Sequence, residues 1–236
     1  MDARLLSFRK LYKHILAQDK LDVNGVSLLL SVLVYFSNEF IEKICKELNI
    51  TTLTVVEING LKFIYVKYMG QEFIAFRGTE FSLWSNTKRA LNFIPKKTKS
   101  GKKAHRGFVM AFADCDKVIS ELISVNKSVI FTGHSLGGAL ALIAAEHYKA
   151  CAIAFASPLV FFNEKLLDSV NYLGYRVLGD FVPNLPPSFF FAGWSRAKPE
   201  FWIKPKVKFL NCTKYHHVST YITVLMDEFY SRNISK

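Results

Sequence analysis

The feature that most constrains this chain is a glycine-rich turn between an apolar segment and an alanine-rich segment. Residues 128–132 form a short segment with an apolar centre, Val129 to Phe131, as in a buried strand. Gly133, Ser135 and Gly137 follow in the pattern G-x-S-x-G, and residues 136–148 are rich in Ala and Leu, which favours a helix. A strand that runs through such a turn into a helix exposes its central serine, so the segment predicts a nucleophile at Ser135.

The residues around Ser135 fit that prediction. Gly133 and Gly137 allow the backbone on either side of the turn to approach closely, and the N-terminus of the following helix favours developing negative charge. His134 is the immediate neighbour of Ser135. Its side chain is expected to point away from the face of the serine, so we interpret His134 as structural.

The rest of the chain predicts an α/β fold. The first 50 residues show helical spacing of apolar residues, and short β-rich runs follow at 52–58, 61–68 and 72–76. Beyond residue 100, helices (107–124, 136–148, 217–230) alternate with strands (128–132, 151–156, 172–178), which predicts a mostly parallel central sheet flanked by helices. The basic segment 88–106 is predicted to be a loop. We expect one domain over residues 1–236, with residues 1–50 as a helical extension packed on it.

The charge, the cysteines and the hydropathy of the chain indicate its partners and its location. The chain has 236 residues and a net charge of +12, which suits an anionic membrane or substrate. No RNA- or DNA-binding signature is present, so nucleic acid is not expected as a partner. The four cysteines are scattered, no signal peptide is recognisable, and the apolar run 26–36 is too short to span a bilayer. These features predict a cytoplasmic location, with peripheral binding to membranes as a further expectation.

Several short motifs follow one another along the chain: I-A-F-R-G-T at 74–79, H-R-G-F at 105–108, G-H-S-L-G-G-A at 133–139, F-A-S-P at 155–158 with Asn163, and D-F-V-P-N-L-P at 180–186. In this order they resemble the motifs of the class 3 lipases, the family of the fungal triacylglycerol lipases. The chain departs from the family pattern at Ala156 and Phe162, where the family has glycine, so a different backbone is expected there. The first 50 residues do not match the family closely.

The resemblance implies an α/β-hydrolase fold and a catalytic triad in the chain order Ser, Asp, His. Asp180 follows a predicted strand and precedes a proline-rich loop, where triad acids are placed, and the family's acid motif selects the same residue. The base must come later in the chain. His147 lies on the helix after the nucleophile, so His216 and His217 remain as candidates. The family's H-x-x-x-x-Y pattern fits His216 with Tyr221 and favours His216, whereas a shorter variant would fit His217.

Two further groups of residues are assigned by their position. The backbone N–H of Leu136 and that of Thr79, after the R-G-T strand end, are the expected oxyanion donors. Phe81, Leu83 and Trp84 follow directly, where the resembling lipases carry a lid over the acyl groove; the alternative is that they are permanent core. His105 is expected to be a buried structural histidine, and no metal or cofactor is expected.

The function expected from these residues is serine-dependent hydrolysis of carboxylic esters of lipids, through an acyl-enzyme on Ser135. The alternatives are a catalytically silent lipid-binding protein on a hydrolase fold and a thioesterase, since fold and triad do not fix the acyl group. Aromatic residues at 189–194, with Phe201 and Trp202, lie beside basic residues such as Lys198, Lys204, Lys206 and Lys208. This pattern is typical of docking to anionic lipid, and a β-hairpin with a solvated face is the alternative.

Overall fold

The computed structural model describes residues 3–78, 94–123, 128–162, 171–186, 193–195, 199–206, 209 and 212–230. Three helices open the chain: α1 (Ala3–Leu16), α2 (Val23–Leu33) and α3 (Asn38–Glu47). The side chain of Asp22 caps α2 by accepting from the N–H of Gly25, and Ser37 caps α3 in the same way through Phe40. Residues 25–33 of α2 are all buried, which explains why this helix is apolar on nearly every side.

Seven strands form the central sheet: β1 (Thr52–Ile58), β2 (Leu61–Tyr68), β3 (Gln71–Phe76), β6 (Val129–His134), β7 (Cys151–Phe155), β9 (Asn171–Val177) and β11 (Glu200–Ile203). They lie in the order β1-β2-β3-β6-β7-β9-β11. The first three strands pair antiparallel, and the pairs from β3 to β11 are parallel. The carboxyl ends of the parallel strands therefore share one edge of the sheet, where ligands bind in open α/β folds.

The helices that complete the fold are α4 (Arg106–Leu122), α5 (Leu136–Tyr148), α6 (Cys212–His216) and α7 (Val218–Tyr230). Alternate residues of the strands point to opposite faces of the sheet. Ile64, Phe73 and Ile130 belong to the apolar cluster that contains α1, α2, α3 and α7. Phe63, Ile74 and Phe131 belong to the cluster that contains α4 and α5. Both faces of the sheet are covered, as its apolar strands require.

A second, smaller sheet corrects the predicted loop over 88–106. Its strands are β4 (Pro95–Lys97), β5 (Lys103–His105), β8 (Phe161–Phe162) and β10 (Trp194–Ser195), in the order β10-β8-β5-β4. Lys99 bonds Asp116 of α4, and Ser100 bonds Glu146 of α5, so side chains hold the connection between β4 and β5 against the helices. Strands β4 and β5 have only three residues each, too few to show a periodic pattern in a segment of basic composition.

Across the described part of the chain, no helix combines the length and the hydropathy that crossing a bilayer would require.

Candidate active site

The nucleophile turn is formed as the sequence predicts, with unusual backbone at its centre. Ser135 lies between β6 and α5, and its backbone has φ 59° and ψ −124°. Residues other than glycine rarely adopt this conformation. Its N–H donates to the carbonyl of Phe155 at 2.9 Å, which ties the turn to β7. The serine is thereby fixed at the carboxyl edge of the sheet, at the N-terminus of α5.

The flanking glycines are required by close packing. A methyl group at Gly133 would lie 2.3 Å from the carbonyl carbon of Gly137, and one at Gly137 would lie 2.2 Å from the carbonyl oxygen of Phe76. Real side chains do not approach this closely. Gly137 therefore lets α5 cross directly beside the end of β3, the strand that leads to Gly78 and Thr79.

Ser135, His216 and Asp180 form one line of hydrogen bonds. The imidazole Nε2 of His216 is 2.8 Å from Oγ of Ser135, and its Nδ1 is 2.9 Å from Oδ2 of Asp180. The side chains come from three places: the turn after β6, the loop after β9, and the last residue of α6. All three are buried, with Asp180 only 2% exposed. A proton on Nδ1 facing the carboxylate leaves the Nε2 lone pair for the serine hydroxyl, the arrangement that general-base catalysis needs.

Two further donors hold the carboxylate of Asp180. The hydroxyl of Tyr221, on α7, donates to Oδ2 at 2.7 Å, and the N–H of Val182 donates to Oδ1 at 3.0 Å. The same hydroxyl accepts from the N–H of Val177 at 3.1 Å. Burial and the charge of Asp180 raise the pKa of Tyr221 well above its usual value. Tyr221 therefore stays a donor, and Asp180 keeps its orientation toward His216.

His217 lies in a different environment from its neighbour. It is exposed, and its Nδ1 is 2.6 Å from the hydroxyl of Ser219 and accepts from the N–H of Ser219 at 3.3 Å. These contacts cap the first turn of α7. Of the two histidines that the sequence left open, the structure brings His216 to Ser135.

His134 is buried beside the three residues but does not hydrogen-bond Ser135. Its ring centroid is 4.9 Å from that of His216 and 5.2 Å from that of Tyr221. Burial holds the pKa of His134 well below its usual value, and the neighbouring imidazoles of His216 and His217 lower it further. His134 is therefore a neutral packing partner of the proposed base.

Of the two predicted oxyanion donors, Leu136 lies within the described residues. Leu136 is the first residue of α5, so its N–H is one of the free donors at that helix end. Gly78 adjoins the same helix, since a methyl group at Gly137 would lie 3.1 Å from the nitrogen of Gly78. Thr79, the second predicted donor, and the predicted lid residues Phe81, Leu83 and Trp84 lie outside the described residues.

Other sequence predictions near the site have definite positions. His105 is buried, and its Nδ1 accepts from the N–H of Gly107, so it caps α4. Ala156, where the family has glycine, has φ 54° and thus adopts a left-handed conformation despite its side chain. Within the described part of the chain, no group of three or more His, Cys, Asp or Glu side chains could hold a metal ion.

Comparison with known proteins places the chain in a family. The sequence profile described as Lipase (class 3) matches residues 73–190, which is half of the chain. The secreted mono- and diacylglycerol lipase 1 of Fusarium solani is 32% identical over 120 residues, covering 44% of this chain and 35% of that protein. A lipase of Rhizopus niveus is 37% identical over 78 residues, covering 30% of this chain and 20% of that protein. The matched part thus spans about a third or less of these relatives.

Solved structures agree on the fold. The triacylglyceride lipase of Rhizomucor miehei has a TM-score of 0.57 at 21% identity, covering 84% of this chain and 80% of that chain. The lipase of Rhizopus microsporus var. chinensis has a TM-score of 0.57 at 20% identity, covering 84% and 75%. The predicted α/β-hydrolase fold, with a mostly parallel sheet flanked by helices, is confirmed. Fold, ordered motifs and profile agree, and the chain belongs to the class 3 lipase family.

Proposed function

We propose that this protein is a serine-dependent carboxylic ester hydrolase that acts on lipids. The observation that carries the proposal is the line of hydrogen bonds from Asp180 through His216 to Ser135. A buried carboxylate, a histidine and a strained serine in hydrogen-bond contact form the arrangement that activates a serine for acyl transfer. Membership in the class 3 lipases agrees with this chemistry.

In the proposed acylation step, Oγ of Ser135 attacks the ester carbonyl carbon while its proton passes to Nε2 of His216. The resulting imidazolium is stabilised by Asp180, which keeps its own charge. The oxyanion accepts from the N–H of Leu136 and from Thr79. When the tetrahedral intermediate collapses, the alcohol leaves with the proton from His216, and the acyl group stays on Ser135.

Deacylation repeats these proton transfers with water. The oxygen of a water molecule attacks the acyl carbonyl while His216 takes a proton from that water. His216 then returns the proton to Oγ of Ser135 as the fatty acid departs. Each cycle therefore consumes one ester and one water and yields one acid and one alcohol. The enzyme returns to its starting protonation.

A lipid ester as substrate is supported by the relatives, which are named as lipases of mono- and diacylglycerol and of triacylglyceride. Phe81, Leu83 and Trp84 directly follow the oxyanion candidate Thr79 in the sequence. We propose that they border the acyl groove and cover it when no lipid surface is present. Apolar side chains at that position would bind an acyl chain better than a short polar acyl group.

Peripheral binding to anionic membranes is a finer part of the proposal. The net charge is +12, and two exposed lysines lie close to the active edge of the sheet. Lys204 follows the carboxyl end of β11, and Lys214 lies two residues before His216 in α6. Each lysine near an anionic surface contributes about 1 kcal/mol of attraction. These charges would turn the catalytic edge toward the lipid.

The aromatic residues in the same region contribute less than their sequence suggests. Phe201 and Trp202 are 47% and 43% exposed, but the ring of Phe201 stacks on Tyr175 and that of Trp202 packs under Arg176. Consecutive residues of a strand point to opposite faces, so the two rings do not form one patch. The docking proposal therefore rests on the lysines.

The central proposal is tested by labelling with a fluorophosphonate, which reacts with activated serines. Wild-type protein should be labelled, and Ser135→Ala should not. Ser157→Ala is the matched control, because Ser157 is also buried and lies just beyond the carboxyl end of β7. Labelling that survives Ser135→Ala would assign the reactive serine to another position, and an unlabelled wild type would favour a silent lipid-binding protein. Either result would refute the proposal.

The substrate class is tested by product release. Wild-type protein should release fatty acid from acylglycerol or phospholipid dispersions faster than it cleaves an acyl thioester of the same chain length. A clear preference for the thioester would assign the protein to the thioesterases instead. Ser135→Ala should be inactive on every substrate.

The docking proposal is tested with vesicles. Lys204→Glu/Lys214→Glu should weaken binding to anionic vesicles at least about tenfold at low salt, since two attractions become repulsions. Lys149→Glu is the control, because Lys149 is exposed and precedes β7 at the opposite edge of the sheet. The same weakening per substituted lysine in both variants would show that only the net charge matters.

A further inference from the structure

The side chain of Tyr35 reaches the candidate active site, although the sequence assigns no role to this residue. It lies in the turn that follows α2, in the part of the chain that matches the family least, and it is half-buried. Its hydroxyl nevertheless reaches the active edge of the sheet, where it is 3.4 Å from Nδ1 of His134.

The hydroxyl of Tyr35 borders the space beside the nucleophile. A methyl group at Gly78 would lie 2.3 Å from this hydroxyl, 2.4 Å from the carbonyl oxygen of His134 and 3.3 Å from Cβ of Ser135. The tyrosine hydroxyl, the nucleophile residue and the end of the oxyanion strand therefore surround one small volume. Only a glycine at position 78 leaves that volume open.

The position of Tyr35 is set by the register of α2 on β6. Ser31 lies in the last turn of α2 and Tyr35 lies two residues beyond the end of that helix, while Thr132 and His134 lie on the same face of the strand. The hydroxyl of Ser31 is 2.9 Å from that of Thr132, which donates to the carbonyl of Ile153 at 2.7 Å. This buried contact fixes the helix one turn before Tyr35 meets His134.

Resting on the proposed function, we propose that Tyr35 is a positioning residue for the oxyanion side of the active site. Its hydroxyl lies between the end of β3 and the end of β6 and sets the separation of Gly78 from Ser135. Gly78 also lies beside α5, since a methyl group at Gly137 would be 3.1 Å from its nitrogen, so this separation determines how the end of the oxyanion strand lies relative to Ser135 and Leu136. Donors displaced by a fraction of an ångström lose much of their value in the transition state.

The placement predicts a specific kinetic signature. An oxyanion exists only in the transition state and the tetrahedral intermediates, so a residue that positions its donors affects kcat and leaves substrate binding unchanged. Tyr35→Phe keeps the ring and removes only the hydroxyl. We expect kcat to fall about tenfold while KM stays within about twofold.

The test uses purified protein and a soluble fatty-acyl ester. Tyr12→Phe is the matched control, since Tyr12 also lies in the N-terminal helices and its hydroxyl donates to Glu47. It should lower stability without lowering kcat. Binding of an alkylboronic acid, whose tetrahedral adduct on serine resembles the intermediate, should weaken in Tyr35→Phe by the same factor as kcat.

The outcomes separate this inference from the proposed function. If wild-type protein is labelled at Ser135 and cleaves esters, but Tyr35→Phe keeps its kcat or changes only KM, the positioning role is wrong and the hydrolase proposal stands. An equal loss of kcat in Tyr12→Phe would also overturn it, because the effect would then be a general loosening of the helices. If the wild type is not labelled, the proposed function itself fails.

Discussion

His216 and His217 are neighbours in the chain, but their surroundings differ completely. His216 is buried between Asp180 and Ser135, whereas His217 is exposed and bonded to Ser219. We predict that His216→Ala lowers kcat/KM by about 10⁴-fold or more, as removal of a triad member does. His217→Ala should stay within about threefold of wild type. Ester hydrolysis measured on both folded variants checks this prediction. If His217→Ala were inactive and His216→Ala active, His217 would be the base.

Tyr221 combines structural and positioning effects in one hydroxyl. In Tyr221→Phe, Asp180 loses the donor at 2.7 Å and the N–H of Val177 loses its acceptor. We predict a loss of about 1–3 kcal/mol in the free energy of unfolding, and a fall in kcat of about tenfold because the carboxylate holds His216 less well.

The control for Tyr221→Phe is Tyr148→Phe. The hydroxyl of Tyr148, at the end of α5, donates to Oδ1 of Asp116, also at 2.7 Å. Urea unfolding should show a comparable loss of stability, and steady-state assays should show an unchanged kcat. If both variants lose kcat equally, Tyr221 has no positioning role.

The sequence could predict the residues that stand in recognisable local patterns. The turn predicts Ser135, and a strand end followed by prolines predicts Asp180; the structure places both in hydrogen-bond contact with His216. The contributions of Tyr35, His134 and Tyr221 depend on contacts between segments far apart in the chain, such as that between Tyr35 and His134, which are 99 positions apart. No local pattern encodes which residues meet across a sheet edge, so the chemical setting of these three side chains appears only in the folded chain.

At the scale of elements, α5 crosses β3 so closely that there is no room for a side chain at Gly137. A methyl group at Gly137 would lie 2.2 Å from the carbonyl oxygen of Phe76, and that backbone atom cannot rotate away. We predict that Gly137→Ala costs more than about 2 kcal/mol of stability and lowers kcat, because the end of β3 must move. Thermal unfolding together with ester hydrolysis measures both effects.

Gly138→Ala provides the comparison within the same helix turn. Its nearest contact would be 3.1 Å, so small adjustments suffice. Alanine also favours a helix over glycine by about 1 kcal/mol, which offsets part of the strain. The variant should stay within about 1 kcal/mol of wild type. A larger loss than that of Gly137→Ala would contradict the importance of the crossing.

Long elements were predicted better than short ones. Strands β1 and β2 and helix α5 have the predicted bounds, because alternation or a continuous apolar run specifies them. Helix α4 begins and ends within two residues of its prediction. Strands β8, β10 and β11 were not predicted, since two to four residues form strands only where a neighbour offers a ladder of hydrogen bonds. Tertiary context decided those segments.

At the scale of the whole molecule, the terminal helices pack on the same face of the sheet. The hydroxyl of Tyr230 in α7 bonds Asp22 at the start of α2, and buried residues of α1, α2 and α7 share one apolar cluster with the strands. The helices within residues 1–50 thus complete a core face. This agrees with the predicted single domain, which stays a prediction, as does the cytoplasmic location.

Global stability should depend on pH through His134. Its pKa is held well below the usual value by burial and by His216, so the folded protein keeps it neutral. Below about pH 6.5 the unfolded chain binds a proton that the folded chain does not, so stability falls as pH falls, by up to about 1.4 kcal/mol for each pH unit. Urea unfolding at pH 7 and pH 5 measures this loss.

The variant that isolates this effect is His134→Gln. The substitution removes the titrating group beside His216. We therefore predict that the loss of stability between pH 7 and pH 5 is smaller in the variant than in the wild type, by about 1–2 kcal/mol. Equal slopes for the variant and wild type would assign the acid sensitivity to other groups.

The backbone of Ser135 has a consequence for anyone who engineers this protein. At φ 59° and ψ −124° the chain favours glycine, and any other residue there stores about 1–3 kcal/mol of conformational strain. Directed evolution that ranks variants by heat tolerance alone would therefore enrich Ser135→Gly, a more heat-stable protein that lacks the proposed nucleophile. A library screen should therefore measure ester hydrolysis after each heat treatment, because at position 135 thermal stability and catalytic activity favour different residues.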